Sequence, residues 1–279
     1  MQTVLTLGDL KQKTTQVIEN VFRMAESAGG GYVAQSLSSA EVVTALYFHA
    51  MKLDPLNVNW EGRDRLLLSV GHYAVVLYAA MMELGQMDKS LIPSYSGDGS
   101  QLEMIGCEFT PGIEITGGSL GQGLSRGIGL ALAGKLAKAP WRVYVLMSDG
   151  EMQEGQTWEA AMVAAHHQLD NLTLIVDVNG VQADGYTQDV SNIEPLGDKW
   201  KAFGWDVAEI NGHRFEEILP AFDRAAQVQG KPQAIISRTQ MGNGVSSLME
   251  HADVHYVKWN ADMSNKALEQ IKGKGGDRR

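Results

Sequence analysis

The chain of 279 residues has a single cysteine, Cys107, so no intrachain disulfide can form and no thiolate cluster can hold zinc. It has only 7 prolines, and aromatic residues make up 7%. No uninterrupted apolar run reaches the roughly 18–20 residues needed to cross a bilayer, which excludes a spanning helix. The N-terminus, MQTVLTLGDLKQK, lacks the basic start, apolar stretch and small-residue cleavage site of a signal peptide. Basic charge is also short: 23 Lys and Arg against 33 Asp and Glu give a net charge of −10. A broad nucleic-acid surface needs the opposite sign. These absences predict a cytoplasmic protein with no membrane partner and no nucleic-acid partner. The remaining composition, 44% apolar and 20% charged, is that of an ordinary globular chain.

Glycine is plentiful, at 31, and falls mostly between periodic segments, as in the tight turns of an α/β protein. The pattern predicts helices over 9–27 and 72–85. A further helix is expected to open at Ser38, with Glu41 completing a capping box. A Gly-rich segment from Gly117 to Gly129 leads into a small-residue helix ending near Lys138. A strand is expected at 141–147, a helix over about 154–168, and a second strand at 172–178. The second strand is a nearly continuous apolar run of the kind buried on both faces. Strands near 205–210 and 233–238, with a helix between them, complete the reading. Strand–helix–strand repetition predicts a parallel sheet with helices on both faces. The expected organisation is one domain over 1–262, beginning with a helical segment, and a helix end and flexible tail over 263–279.

Ligands of such sheets sit beyond the carboxyl ends of the strands. There the sequence reads Ser148-Asp149-Gly150-Glu151 after one strand and Asn179-Gly180-Val181 after the next. On adjacent strands, Asp149 and Asn179 would lie side by side. A carboxylate, an amide oxygen and free turn carbonyls are hard ligands that suit Mg²⁺ or Ca²⁺. A helix start near Glu154 would add free N–H groups and partial positive charge. Spacing alone leaves open that Asp149 and Asn179 only cap turns.

Three ordered blocks resemble transketolase: Gly62-Arg-Asp-Arg-Leu-Leu-Leu-Ser-Val-Gly-His72, Thr116-Gly-Gly-Ser-Leu-Gly-Gln-Gly123, and the long string SDGEMQEGQTWEAAMVAAHHQLDNLTLIVDVNGVQADG. The resemblance runs from about residue 10 to 260 and covers the N-terminal, diphosphate-binding (PP-type) half of a full transketolase. It implies thiamine diphosphate as cofactor, bound through Mg²⁺ (or Ca²⁺) held by Asp149, Asn179 and the carbonyl of Val181. It implies that Gly150 binds the diphosphate through its backbone, that His72 contacts diphosphate and reacting centre, and that Gly118 and Leu120 line the aminopyrimidine. Glu154 would face the partner in a proton-sharing acidic interface. His255, or else His251, would match a late histidine touching cofactor and donor sugar.

The same resemblance implies transfer of a two-carbon ketol unit from a ketose to an aldose. It also implies a separate C-terminal subunit carrying the aminopyrimidine-binding domain and its activating glutamate, in a two-plus-two hetero-oligomer. Three positions depart from the family pattern: Val178 stands just before Asn179 where the family has Asn or Asp, and sugar-binding histidines fall on Tyr32 and Met104. The last two, as substrate-pocket candidates, predict a sugar other than the common pentose phosphates, since methionine offers no comparable donor. Two alternatives stand beside this reading. One is an α-type subunit of another thiamine-diphosphate enzyme; the other is a non-catalytic subunit that stabilises its partner.

Overall fold

The computed structural model describes residues 5–249 and 254–273. Helix α1 (Leu7–Ala28) starts from a capping box between Thr6 and Asp9 and ends at Gly29, which takes φ +71°. A two-residue strand β1 (Gly30–Gly31) leads into α2 (Val33–Ala45). Strand β2 (Arg65–Leu68) and α3 (Ala74–Leu84) follow, then α4 (Gly123–Ala137), β3 (Val143–Ser148), α5 (Gly155–His166) and β4 (Leu172–Val178). A small hairpin, β5 (Val181–Gln182) with β6 (Gly185–Tyr186), precedes the short α6 (Thr187–Val190) and α7 (Leu196–Ala202). The chain continues through β7 (Asp206–Asn211), α8 (Phe215–Gln227), β8 (Gln233–Arg238), α9 (Ser246–Met249), β9 (Val257–Lys258) and α10 (Ala261–Gly273).

Five strands form one sheet in the order β2-β3-β4-β8-β7, every neighbouring pair parallel. Alternate residues enter two different cores, as the two-residue period of a strand requires. Leu66, Leu68, Tyr144, Leu146, Ile175 and Ile235 face a core shared with α1, α2, α3 and α8. Leu67, Val145, Met147, Leu174, Val176 and Ile236 face a second core shared with α4, α5 and α7. All seven residues of β4 are buried, which explains its continuous apolar sequence. The parallel sheet with helices on both faces is therefore as expected.

Three elements differ from expectation. Strand β2 lies inside the Gly62–His72 block, where only four residues carry the pattern and periodicity has little to act on. Helix α2 starts at Val33 rather than after Ser38, because β1 delivers the chain directly into it. Ser38 and Glu41 are thus interior and buried, and they bond tertiary partners instead of capping. Helix α10 begins at Ala261 and buries Ala267 and Ile271 in the first core, so the expected boundary at 262 falls at its second residue. Residues 274–279, expected to be tail, lie outside the described residues, as does His251.

Candidate active site

The carboxyl ends of β2, β3, β4 and β8 open on one side of the sheet. From them emerge Ser69 to His72, Asp149, Asn179 and Thr239 to Met241. A cleft of about 410 to 470 Å³ lies on each side of the Asp149 turn. The larger is lined by His72, Gly118, Leu120, Asp149, Gly150, Glu154, Val181 and His255, among others. The smaller is lined by Asp149 and Asn179 together with Thr187 and Arg238. Of the residues expected from sequence to hold cofactor and metal, the first cleft brings together all but Asn179. That residue sits next door, just past the end of β4, the strand beside β3, which ends just before Asp149.

Asp149 is 1% exposed and anchored by donors on both oxygens. Its Oδ2 accepts from the Gly180 N–H at 2.8 Å and the Thr187 hydroxyl at 3.2 Å, and Oδ1 from the Gly150 N–H at 2.9 Å. Burial, reinforced by nearby Asp177, pushes its carboxyl up to about 7. Asn179 Oδ1 accepts from the Val181 N–H at 3.0 Å, while its amide nitrogen donates to the Tyr73 hydroxyl and Asp177 Oδ2, both at 2.9 Å. Asn179 is thereby oriented with oxygen and nitrogen assigned by their partners. Among the described residues no group of three His, Cys, Asp or Glu side chains converges on a metal position. The expected ligand set contributes one carboxylate only.

Asp177 lies outside the candidates that the sequence supplies, yet it organises this edge. Its Oδ2 accepts from Ser38 (2.7 Å), Tyr73 (2.8 Å) and Asn179 (2.9 Å), and its Oδ1 from Thr239 (2.6 Å). The sequence does hold a signal for it: a charged residue in a strand buried on both faces must be fully bonded. Glu151 plays a similar part nearer the Gly-rich turn. It accepts from Ser69, from the Gly121 N–H at 2.8 Å and from the Ser148 N–H at 2.9 Å. Burial raises its carboxyl despite these donors.

The imidazoles of His72 and His255 face each other with centroids 5.0 Å apart. Tyr32 packs against both, at 4.9 and 5.5 Å. Burial and then His255 pull His72 down to about 3, and burial lowers His255. Both rings are therefore neutral donors or acceptors near pH 7. Neither substrate-pocket candidate lines the cleft itself: Tyr32 stands behind its two histidines, and Met104 lies elsewhere. Met104 is half-buried against the first core, where an unbranched apolar side chain is at home. Gly118, at φ +112° with only Ile105 within 3.5 Å of a would-be Cβ, leaves a bare backbone beside the cleft. Leu120 is held there by its carbonyl, which accepts from Gln156 at 3.1 Å. Glu154 is exposed at the N-cap of α5 and lines the cleft, with the stem of its side chain against Gly121. The Gly150 N–H, expected to meet a diphosphate, is bonded to Asp149 Oδ1.

Comparison with known proteins accords with this geometry. A family model described as "Transketolase, thiamine diphosphate binding domain" matches residues 14–276. The 6-deoxy-6-sulfo-D-fructose transketolase subunit SqwG of a Clostridium species is 40% identical over 96% of this chain and 98% of its own length. One subunit of the apulose-4-phosphate transketolase of Phocaeicola vulgatus is 37% identical over 92% of this chain and 90% of its own length. Among solved structures, the transketolase of Campylobacter jejuni superposes with a TM-score of 0.90 at 30% identity. That alignment covers 96% of this chain and 43% of the other, so the chain spans under half of that enzyme.

Proposed function

Since the chain belongs to the transketolase family through its thiamine diphosphate-binding domain, we propose that it is the N-terminal subunit of a split transketolase. The reaction is transfer of a two-carbon ketol unit from a ketose to an aldose. The observation that carries this reading is the single cleft shared by His72, Gly118, Leu120, Asp149, Gly150, Glu154, Val181 and His255.

The donor set fits the group it would hold. Asp149 and Asp177 place two buried carboxylates close together, and the bonds they accept come from neutral donors among the described residues. A divalent ion would offset that charge excess. Asp149, Asn179 Oδ1 and the Val181 carbonyl are oxygen donors of the hard kind that Mg²⁺ (or Ca²⁺) prefers. Thiamine diphosphate, when bound, supplies the carbon nucleophile and electron sink that carbon–carbon cleavage needs. The chain's own part is to fix and orient. Asp149, Asn179 and Val181 would hold the metal and, through it, the diphosphate. Gly118 and Leu120 would line the aminopyrimidine through backbone groups. His72 and His255, neutral and half-buried, would hydrogen-bond the donor sugar and hold its protons in place. Glu154, at the exposed rim, would meet the partner's acidic interface.

A separate C-terminal subunit would bring the aminopyrimidine-binding domain, in a two-plus-two assembly. The support is that relatives matched over nearly their whole length are themselves named subunits. The donor is read as a non-standard ketose, sulfonated or phosphorylated. The support is that those same relatives are named for sulfofructose and apulose phosphate, and that Tyr32, in contact with His72, stands where the family resemblance expects a sugar-binding histidine. The setting is taken as cytoplasmic; no described helix is long and apolar enough to cross a membrane.

Calorimetry with thiamine diphosphate and Mg²⁺, on the chain alone and with its C-terminal subunit, tests the proposal. Tight binding in the assembled wild type, lost in Asp149→Ala, is the expected result. A stable complex that binds no cofactor would leave a non-catalytic subunit. Substantial ketol transfer by the chain alone would remove the partner requirement.

A further inference from the structure

Gln35 sits in the first turns of α2, 1% exposed, and its side chain reaches the cleft. Its amide nitrogen lies 2.6 Å from the backbone oxygen of His255 and 3.1 Å from His255 Nδ1. The carbonyl oxygen can only accept, so the atom facing it must be the nitrogen; the amide orientation is settled without reference to the ring. An amide N–H can only donate, so Nδ1 of His255 is the acceptor. A neutral imidazole with Nδ1 accepting carries its proton on Nε2. The neutral ring is what its burial favours. Both hydrogens of the Gln35 amide are spent on one residue, one on its backbone and one on its ring.

The other end of the amide shows what the arrangement costs. Gln35 Oε1 is buried and has no hydrogen-bond partner among the described residues. A buried acceptor left without a partner is destabilising, so packing alone favours an apolar side chain of the same length. Helix α2 around it is apolar or small: Val33, Ala34, Ser36 and Leu37 are its neighbours and all are buried. An amide is the one uncharged side chain of that length able to donate twice from a single atom.

From this geometry we infer that Gln35 is a positioning residue that sets the tautomer of His255, fixing Nε2–H as the proton presented for hydrogen bonding with the donor sugar. The sugar contact rests on the function proposed above; the tautomer does not. Gln35 reaches His255 from α2, and Tyr32 packs edge-on against the same ring from the residue before that helix. The ring is thus held at its Nδ1 edge and on one side.

The test begins on the unmodified full chain labelled with ¹⁵N-histidine, without cofactor. His255 is one of 7 histidines and is assigned from the signal lost in His255→Gln. The expected spectrum has a pyridine-like Nδ1 and a pyrrole-like Nε2. A pyrrole-like Nδ1 in the wild type overturns the inference outright. In Gln35→Met, of similar length and without a donor, the ring should become a mixture of tautomers. In Gln35→Glu, an acceptor faces Nδ1 and the proton should move there. A pure Nε2–H ring retained in both variants also overturns it.

In the complex with the C-terminal subunit, kcat/KM for the donor ketose should fall about 10–100-fold in Gln35→Met, the loss typical when a partner orienting a metal-bound imidazole is removed. The urea unfolding midpoint of Gln35→Met should not fall below that of wild type, which a general disturbance of the fold would not allow. An inactive wild-type complex with the expected tautomer would count against the proposed function and leave the tautomer assignment standing.

Discussion

Gly117 packs so tightly on Gly71 that a Cβ built on it would lie 2.2 Å from the Gly71 Cα, and one on Gly71 would lie 2.6 Å from the Gly117 Cα. Two backbones cross here with no side chain between them. One is the turn leaving β2, which carries His72; the other is the Gly-rich segment before α4, which carries Gly118 and Leu120. Gly106 completes the crossing: its N–H donates to the Gly71 carbonyl at 3.0 Å, and its carbonyl accepts from the Gly117 N–H at 2.8 Å. His72 and the backbone of Gly118 thus become neighbours through glycine.

Gly117→Ala should therefore destabilise the chain by about 2–3 kcal/mol, the upper range for forced overpacking, because both colliding atoms are backbone. Cofactor affinity in the complex should fall with it. Gly129→Ala is the control: Gly129 lies inside α4 with nothing within 4 Å of its would-be Cβ, so the change should stabilise the isolated chain by about 0.5–1 kcal/mol. Urea unfolding of the two variants checks both signs; an unchanged midpoint in Gly117→Ala refutes the crossing.

The long elements are legible from pattern. Helix α1, expected over 9–27, spans 7–28, and β4 coincides with the expected 172–178. The βαβ spacing puts Asp149 and Asn179 at strand ends, and they directly follow the neighbouring strands β3 and β4. What escapes the pattern is made by tertiary contact. Strand β2 has four residues and borrows its regularity from β3. Ser38 has the local look of an N-cap, but its hydroxyl serves Asp177, 139 positions away. Gln35 carries no motif; only the fold brings it to His255, 220 positions on. Met104 is a pocket candidate only by counting back from a glycine, and counting does not say which way a loop residue points.

Asp177 accepts hydrogen bonds from Ser38, Tyr73, Asn179 and Thr239, which come from four separate parts of the chain. Asp177→Ala strands these donors in a buried site, where each unmet group costs about 1–3 kcal/mol. Some will find one another or admit water, so a net loss of at least about 3 kcal/mol is expected. Asn179 would lose one of the bonds that orient it, and metal-dependent cofactor binding should weaken even where the variant folds. Denaturant unfolding and calorimetry measure the two effects separately. A loss below about 1 kcal/mol, the worth of one ordinary hydrogen bond, would show that Asp177 is not the organiser.

The histidine pair gives the chain a pH dependence of definite sign. His72 titrates at about 3 in the folded chain against 6.5 in an open one, and His255 is displaced the same way. Below pH 6.5 the unfolded chain therefore binds protons that the folded chain refuses. Stability contributed by keeping these rings neutral is complete above about 6.5 and is lost as pH falls toward 3. His72 can cost up to about 1.4 kcal/mol per pH unit inside that window; His255, partly open to solvent, costs less. Between pH 6.5 and 5, Asp149, held up at about 7 by burial, takes up its proton in the folded chain and contributes the opposite slope, so the histidine contribution is read as a difference between proteins. The unfolding free energy of wild type should fall relative to that of His72→Gln through this range. Equal slopes in the two proteins would show that His72 takes up its proton in the folded state.

Asp149→Asn separates the cost of the metal site from its use. In the metal-free chain the change removes one of two neighbouring buried carboxyls, and the remaining carbonyl oxygen can still accept from Gly180 or Gly150. Stability of the isolated chain should be equal to or above that of wild type. In the complex the same change removes the one charged ligand of the expected metal set. Cofactor affinity should fall more than about 100-fold, beyond what loss of an outer partner costs. The readout is a thermal melt of each complex with and without thiamine diphosphate and Mg²⁺. At ligand about 100 times Kd, binding adds about 2.7 kcal/mol to wild type. For a chain of this size each kcal/mol raises Tm by roughly 2–4 °C, so the wild-type shift is several degrees. The Asn variant should melt at the same temperature with and without ligand. If instead both complexes gain the same shift, Asp149 is a buried turn-capping residue, and the oxygen cluster at the ends of β3 and β4 does not hold the metal.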